Sequence, residues 1–508
     1  VTPVSYLGID VGTTGCKVIA FDEEGNIRAW AYEEYPLYHP RNGWSELDAE
    51  EVFEKIVRCL RRVAEGIRHD PPASIGISSQ GEAVVPVDAE GRPLARSIVT
   101  FDTRGDEFVP LFREHFGDER FFAITGMPLS GIGTVNKILW WKKYAPEVFK
   151  NARYFLCFED FLIFRFGLPP AISFPLASRT MMFHVERGEW SSEILDLAGI
   201  PPERLAQPYP SGTPLGEVPE KFAAAFGWGK GIVVAAGGHD QPCGALGAGV
   251  IRPGLAMDAT GTVECIAPAM SRFVGGEAMW RNNLCCYHHA FPGLYTTLVY
   301  NFTGGVLLRW FRDQFGEKER DIAASMGKDP YEVLLEGLPE NPTSLFVLPH
   351  FTMTGTPYFD AHSTGMVVGL TLNTTKKEFI KALLEGVSYE MKLNLELLRN
   401  AGIPVERLRA IGGGAKSPVW LRIKADIYGM PVETLSVSEA ACFGAALLGR
   451  KAKEDIKDFG ALVDDLVRVR EVYEPDPERA KIYEERFAVY RRLYPALKTV
   501  ILQGGEMP

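Results

Sequence analysis

The chain has no apolar run of the roughly 18 to 20 residues that a membrane span needs, although it is 508 residues long. Its first residues lack the basic segment, the long apolar segment and the small-residue cleavage site of a secretory signal. A cytoplasmic protein without a membrane anchor is therefore expected. Basic residues are not in excess: 54 Lys and Arg stand against 65 Asp and Glu, a formal charge of −11, which argues against a nucleic-acid-binding surface. The eight cysteines are scattered, with no C-x-x-C pair and no zinc-like Cys/His spacing. Adjacent Cys285 and Cys286 suit neither an ordinary bridge nor a metal, so reduced thiols are expected. His288-His289, on a strand-like stretch, reads as structural. The glycosylation triplets at Asn301 and Asn373 are chance matches if no signal directs the chain outward. G-x-x-x-x-G-K-[ST] is absent, which excludes a P-loop enzyme. With 46% hydrophobic and 23% charged residues the composition is that of a globular protein, and the length predicts two or more domains.

What is present begins with "YLGIDVGTTGCKVIAFDEEG", Tyr6 to Gly25. Two apolar strands flank a turn of glycine and threonine, with "RAWAYEEYPL" as a third strand of a β-meander. "DAEEVFEKIVRCLRRVAEGI" follows, with Asp48 as N-cap, acidic residues in its first turn and apolar positions at helical spacing. "SIGISSQ" is another buried strand. Strands followed by alternating helices and strands predict an α/β sheet with antiparallel members. Near residue 250 the pattern restarts: "GLAMDATGTVECIAPA" matches the opening stretch residue for residue in the spacing of Asp and turn, with Asp258 in the place of Asp10. This predicts two related domains, 1–247 and 248–508. The charged segment 455–508 reads as a closing helix.

A turn of successive small residues points several backbone N–H groups into one concavity, which suits phosphate. At the first turn Gly12, Thr13 and Thr14 supply amides and hydroxyls, and Lys17 a positive charge. Asp10 would repel bare phosphate but becomes useful if Mg²⁺ bridges it to the nucleotide. The plain alternative is a hairpin turn. Further on, "AIGGGAKSPVW" places Gly412, Gly413 and Gly414 between a strand and a helix, where the main chain can approach a flat ligand or a phosphate. "GIVVAAGGHDQPCGALGAGV" carries Asp240 to the junction of the two halves. There it could take a proton from a hydroxyl nucleophile, or simply cap a helix. The small residues that follow (Gly244, Ala245, Gly247, Ala248, Gly249) imply that another element approaches that helix closely.

Together these segments resemble the FGGY family of carbohydrate kinases, in the actin–hexokinase superfamily, from Leu7 to about Leu497. The opening matches the family's D-x-G-T-T/S-x-x-K/R turn, Asp10 to Lys17. "TVNKILWW" matches K-[apolar]-x-W, with departures at Ile132 and Trp141. "GMVVGLTLNTTKKEFIKALLEG", Gly365 to Gly386, meets the second signature. "GTPYFDAHSTG" departs from TP-x-x-D-P-x-x-R-G at Ala361 and Thr364. The resemblance implies two ribonuclease-H-like α/β domains with a central cleft, ATP and Mg²⁺ as cofactors, and phosphorylation of a sugar hydroxyl. It implies Asp240 as general base, with Asp10 and Asp240 as the carboxylates facing the metal. Thr13, Thr14 and Lys17 would face the terminal phosphates, and Thr260, Gly261 and Thr262 would form a second phosphate turn. Gly305 would line the nucleotide pocket, with Gly413 and Ser417 at the adenosine.

For the acceptor, the resemblance points to Gln80, Gly81 and Glu82, to Asp102 and Arg104, and to Gln241. Xylulokinases show Q-M-H-G and Asp-Asn at these places and glycerol kinases Q-R-E and Asp-Gln; this chain has Q-G-E-A and Asp-Gln. Two carboxylates disfavour an anionic sugar unless Arg104 compensates, so a neutral ketose or a polyol is expected. The alternatives are a kinase of a signalling molecule and a scaffold of the same superfamily that binds ATP without phosphorylating sugars. A homodimer is the one protein partner kept open.

Overall fold

A computed structural model describes residues 4–504, with side chains to residue 498. Strands β1 (Ser5–Val11), β2 (Gly15–Phe21) and β3 (Ile27–Glu34) form the expected antiparallel meander. Helix α1 (Ala49–Gly66) starts at Asp48, whose carboxylate accepts from the N–H groups of Glu50 and Glu51. Its apolar stripe (Val52, Ile56, Cys59, Leu60, Val63) is buried, and the helix packs on β2 and β3. The chain then returns as β4 (Pro72–Ser79), parallel to β1. Strand β5 (Pro214–Glu217) pairs antiparallel with β6 (Val233–Ala235), which lies parallel to β4, and the short β7 (Gly238–His239) continues on β4. Helix α2 (Asp240–Gly247) follows at once.

The second half repeats this plan. β8 (Gly254–Thr260) and β9 (Glu264–Met270) are antiparallel. β10 (Tyr287–His288) and β11 (Tyr295–Thr296) pair with each other, and β11 and β12 (Val299–Asn301) continue β9. Helix α3 (Lys376–Asn400) leads to β13 (Val405–Gly412), parallel to β8, and α4 (Pro418–Tyr428) leads to β14 (Val432–Leu435), parallel to β13. The orders β3-β2-β1-β4-β6 and β12-β9-β8-β13-β14 are thus one topology used twice, the doubled α/β fold the resemblance implied. Helix α5 (Ala440–Lys453) comes next. The segment read as one closing helix holds a short helix, an edge strand β15 (Val469–Tyr473) antiparallel to β14, and the long α6 (Pro477–Gly504). Among the described residues no helix is long and apolar enough to cross a membrane.

The element that approaches α2 is α5. A Cβ on Gly247 would lie 1.9 Å from the Ala440 carbonyl oxygen, and one on Gly444 2.0 Å from that of Cys243. The other face of α5, though it comes from beyond residue 248, lies on the first sheet: a Cβ on Gly8 would meet the Cys442 oxygen at 1.9 Å, and one on Gly76 the Ala445 oxygen at 1.8 Å. Such distances leave no space even for a methyl group. Glycine is required here for backbone-to-backbone approach. The consequence is a rigid junction at the base of the cleft, with Asp240 at the end of one of its two crossing helices.

Candidate active site

The first turn is closed by the Gly12 N–H, which donates to the Gly15 carbonyl at 2.9 Å, while the Tyr35 hydroxyl donates to the carbonyls of both Gly12 and Gly15. Gln80 joins it: its amide nitrogen donates to the Gly12 carbonyl at 2.8 Å, and the Thr13 hydroxyl lies 3.4 Å from its amide oxygen. Asp10 faces Lys17 across the β1–β2 ladder and accepts from the Ser78 hydroxyl at 2.7 Å. Burial raises its carboxyl above the usual range, against the opposing effects of Ser78 and Lys17. The Lys17 ammonium reaches across to Glu439, 2.8 Å away, just before α5.

Asp240 does not cap its helix. His239 occupies the N-cap position, and Asp240 is the first helical residue, its carboxylate projecting from the helix end. Solvent reaches 32% of that side chain. Its deep setting, and then the charge of Asp10, push the carboxyl up to about 7; Glu82 adds to the rise, and the Gln241 N–H and Arg179 oppose it. Gln241 is half-buried beside it. Two carboxylates that repel one another are a hard-oxygen donor set suited to Mg²⁺, whose other ligands are normally waters and phosphate oxygens. Among the described residues no group of three His, Cys, Asp or Glu could hold an ion unaided.

On the acceptor side, Glu82 is buried and its backbone sits at φ 58°. That left-handed conformation is uncommon for a residue with a side chain and is found where the surroundings enforce it. They do so here: the Glu82 carbonyl accepts from the Lys137 ammonium at 3.0 Å and from the Thr134 hydroxyl at 3.1 Å. This accounts for the lysine of "TVNKILWW". Burial lowers Lys137 to about 8. The Glu82 carboxylate pairs with Arg179 through the guanidinium Nε and Nη2 and accepts from the Thr100 hydroxyl at 3.0 Å. The remaining Arg179 nitrogen, Nη1, meets only sulfur, 3.7 Å from Met127 Sδ and 3.7 Å from Cys285 Sγ.

Asp102 and Arg104 are placed differently from the expectation. Arg104 donates from Nε and Nη2 to the two Asp102 oxygens at 2.9 and 2.7 Å, and Nη1 lies 2.9 Å from Glu46. Asp102 also accepts from the Ser45 and Arg104 backbone N–H groups, and Arg104 lies over the Trp44 ring, 4.1 Å from its centroid. Every strong valence of this fork is met inside the protein. Arg104 is therefore not free to compensate an anionic acceptor, and the pair ties the 102–104 turn to Ser45 and Glu46.

In the second half, a cavity of about 670 Å³ is lined by Thr260, Gly261, Thr262, Gly305, Gly413, Gly414 and Ser417, among others, with Trp420 and Tyr331. The volume suits a nucleotide-sized ligand. The Gly305 N–H donates to the Gly261 carbonyl at 2.8 Å. Gly412 stands behind it at φ 81°, where a Cβ would meet the Thr260 carbonyl at 2.6 Å, so the three-glycine turn is held against the second small-residue turn. Asp258, however, is not the counterpart of Asp10. The first turn is closed by the pair Val11 and Cys16, the second by Thr260 and Glu264, one residue shorter. A one-residue slip turns a strand side chain to the opposite face, and Asp258 points into the core, where Lys424 neutralises it at 2.8 Å.

The sequence profile of the FGGY family of carbohydrate kinases matches through its N-terminal domain at residues 5–247 and through its C-terminal domain at residues 288–452. The chain belongs to this family. A xylulose kinase of Staphylococcus epidermidis is 29% identical over 97% of this chain and 97% of its own length. A gluconokinase of Bacillus licheniformis is 27% identical over 98% and 97%. The crystal structure of a xylulose kinase from Rhodospirillum rubrum superposes with a TM-score of 0.87 at 26% identity, covering 98% of this chain and 99% of that one. This chain is accordingly an enzyme, a carbohydrate kinase of a family that phosphorylates sugars and polyols with ATP.

Three residues at the kinase cleft carried no assignment in the sequence reading: Arg179, His239 and Tyr287. Nothing in "PLASRT" or "CCYHHA" separates a cleft residue from a core one; the fold brings Arg179 to Glu82 and Tyr287 to His239, the sequence neighbour of Asp240.

Proposed function

We propose that this kinase transfers the γ-phosphoryl group of Mg-ATP to a hydroxyl of a neutral ketose or polyol, with Asp240 as general base. The observation that carries the reading is the place of Asp240: a raised, uncapped carboxylate at a helix end, between the Gly12–Thr14 turn and the Gln80–Glu82 loop. Gln80, Glu82 and Gln241 orient the acceptor, and Gly81 leaves room for the His239 ring beside them. Asp240 takes the proton from the attacking oxygen. The amides and hydroxyls of Gly12, Thr13 and Thr14 receive the terminal phosphates, and Lys17 exchanges Glu439 for them. Thr260, Gly261 and Thr262 hold the remaining phosphates, and Gly305, Gly412, Gly413, Gly414 and Ser417 the adenosine. Asp10 and Asp240 would hold Mg²⁺, which neutralises phosphate charge when bound. Positioning and charge neutralisation are most of what phosphoryl transfer asks of a protein, and closure of the two halves would keep water from competing with the sugar.

A sugar acid is the second reading, for one specific reason: Arg179 Nη1 has only sulfur neighbours and could meet a carboxylate. ADP release from Mg-ATP against ketoses, polyols and sugar acids decides between them. A strong response to a neutral compound is expected; a response confined to sugar acids moves the substrate class to anions. A panel with no response beyond slow basal hydrolysis removes the proposed substrate classes.

Glu82→Gln tests the acceptor side while retaining most of the side chain's shape. A hydrogen bond to a charged group is worth about 1.5–3 kcal/mol, so the acceptor KM should rise by roughly 10- to 100-fold with the KM for ATP nearly unchanged. Equal rises in both constants would remove Glu82 from acceptor binding.

A further inference from the structure

We infer that Tyr287 and His239 form a positioning chain for the base: the Tyr287 hydroxyl donates to Nδ1 of His239, whose Nε2 edge faces Oδ1 of Asp240 and donates to it once the acceptor is bound, leaving Oδ2 for the acceptor hydroxyl. The inference rests on the reading of Asp240 as base. Tyr287 and His239 are buried, with the hydroxyl 2.8 Å from Nδ1 and Nε2 3.2 Å from Oδ1. An ionised carboxylate only accepts, so the ring proton belongs on Nε2, and Nδ1 is left to receive the phenol.

The surroundings fix this chain in place. Gly81 gives the imidazole its space: a Cβ there would lie 2.9 Å from Nε2 and 3.4 Å from Arg179 Cγ. Tyr287 comes from the second half of the chain, yet both of its neighbours are pinned to the first half. The Cys286 N–H donates to the Gly126 carbonyl at 2.7 Å, and His288 Nε2 is 2.6 Å from the Val185 carbonyl. The Arg179 guanidinium lies 5.2 Å from the Tyr287 ring centroid. His239 therefore cannot turn without breaking contacts on both sides. A carboxylate held by one oxygen keeps the other in a near-attack geometry, and misplacing such a group by about 1 Å can cost on the order of 10²-fold in rate.

Side-chain length supplies the test. In His239→Gln the amide nitrogen falls near the place of Nε2 and restores the donor to Asp240; in His239→Asn it falls near Nδ1 and does not. Turnover is measured with Mg-ATP and the panel acceptor of highest activity, D-xylulose being the first tried. His239→Asn should lose roughly 10- to 100-fold in kcat with the KM for ATP unchanged, and His239→Gln should recover most of it. Tyr287→Phe, which keeps the ring and its packing, should lose about fivefold, the weight of one neutral hydrogen bond. In an Asp240→Asn background, His239→Asn should cost nothing further, because a residue acting through the base cannot matter once the base is gone. If Asp240→Asn alone abolishes turnover while His239→Gln and His239→Asn behave alike, or if the losses multiply, the chain is wrong and the base stands. Full turnover in Asp240→Asn alone would overturn both.

Discussion

Asp240→Asn lowers kcat by roughly 10²- to 10⁴-fold, the usual worth of a positioned general base, while nucleotide binding stays as it was. The cavity proposed for the nucleotide is lined by residues between 260 and 420 of the second half, and Asp240 is not among them. This loss of activity should not cost stability. The Asp240 carboxyl is pushed up to about 7 in the folded protein, whereas a free aspartate titrates near ~3.9. Between those values the folded state holds a proton that the unfolded chain has released, so stability falls as pH rises, and the penalty is complete above about 7. Asparagine carries no such penalty. At pH 8 without Mg²⁺, the variant should melt at or above the temperature of the parent, and at pH 4 the two should coincide. A dead enzyme that is at least as stable as its parent separates chemistry from folding. A variant with normal turnover would place the base elsewhere.

How far the sequence led depends on which physical signal each element leaves. Meander strands, α1 with its Asp48 cap, and the small-residue crossing at α2 are local or periodic features, and the fold retained each. The doubling of the fold was legible because an apolar strand, an aspartate, a small-residue turn and a second apolar strand recur in the same order. The likeness misled at Asp258, since Gly261 follows that aspartate by three residues where Gly12 follows Asp10 by two, and one residue of offset turns a strand side chain to the other face. Asp102 and Arg104 were misread for a related reason. A carboxylate two residues from an arginine looks alike in sequence whether the two point into a cleft or at one another, and only the fold brings Glu46 to the third guanidinium nitrogen and the indoles of Trp44 and Trp140 around it. Glu82 was named from its resemblance, but its left-handed backbone and its Arg179 partner, 97 positions away, leave no local trace. The signature segments between Gly355 and Gly386 build the second half: Thr375 and Glu378 form a capping box at the start of α3, and Asp360 accepts from the Tyr494 hydroxyl at 2.6 Å.

Lys424→Met should be the most damaging substitution for stability outside the cleft. Lys424 is 1% exposed in its side chain, and its ammonium donates to Asp258 at 2.8 Å, to Glu264 at 2.7 Å and to the Thr260 hydroxyl at 2.7 Å. The second oxygens of Asp258 and Glu264 are buried without a partner, and burial, then Asp258, raise Glu264 far above the usual range. One cation thus faces two buried carboxylates. Removing it strands both, and breaking a buried ion pair from one side costs about 3–5 kcal/mol. The expected fall in melting temperature is on the order of ten degrees. The damage should reach function in one direction only. Thr260 loses its Lys424 bond, and Gly414 rests against Thr260 so closely that a Cβ there would meet it at 2.6 Å. The KM for ATP should therefore rise while the acceptor KM holds. Replacing all three charges together, as Lys424→Met with Asp258→Asn and Glu264→Gln, should recover much of the lost stability, because the cost lies in the stranded charges rather than in the missing pair. If the triple variant melts as low as Lys424→Met alone, the lysine stem's packing and not its charge holds this core. If Lys424→Met melts with the parent, the cluster contributes nothing.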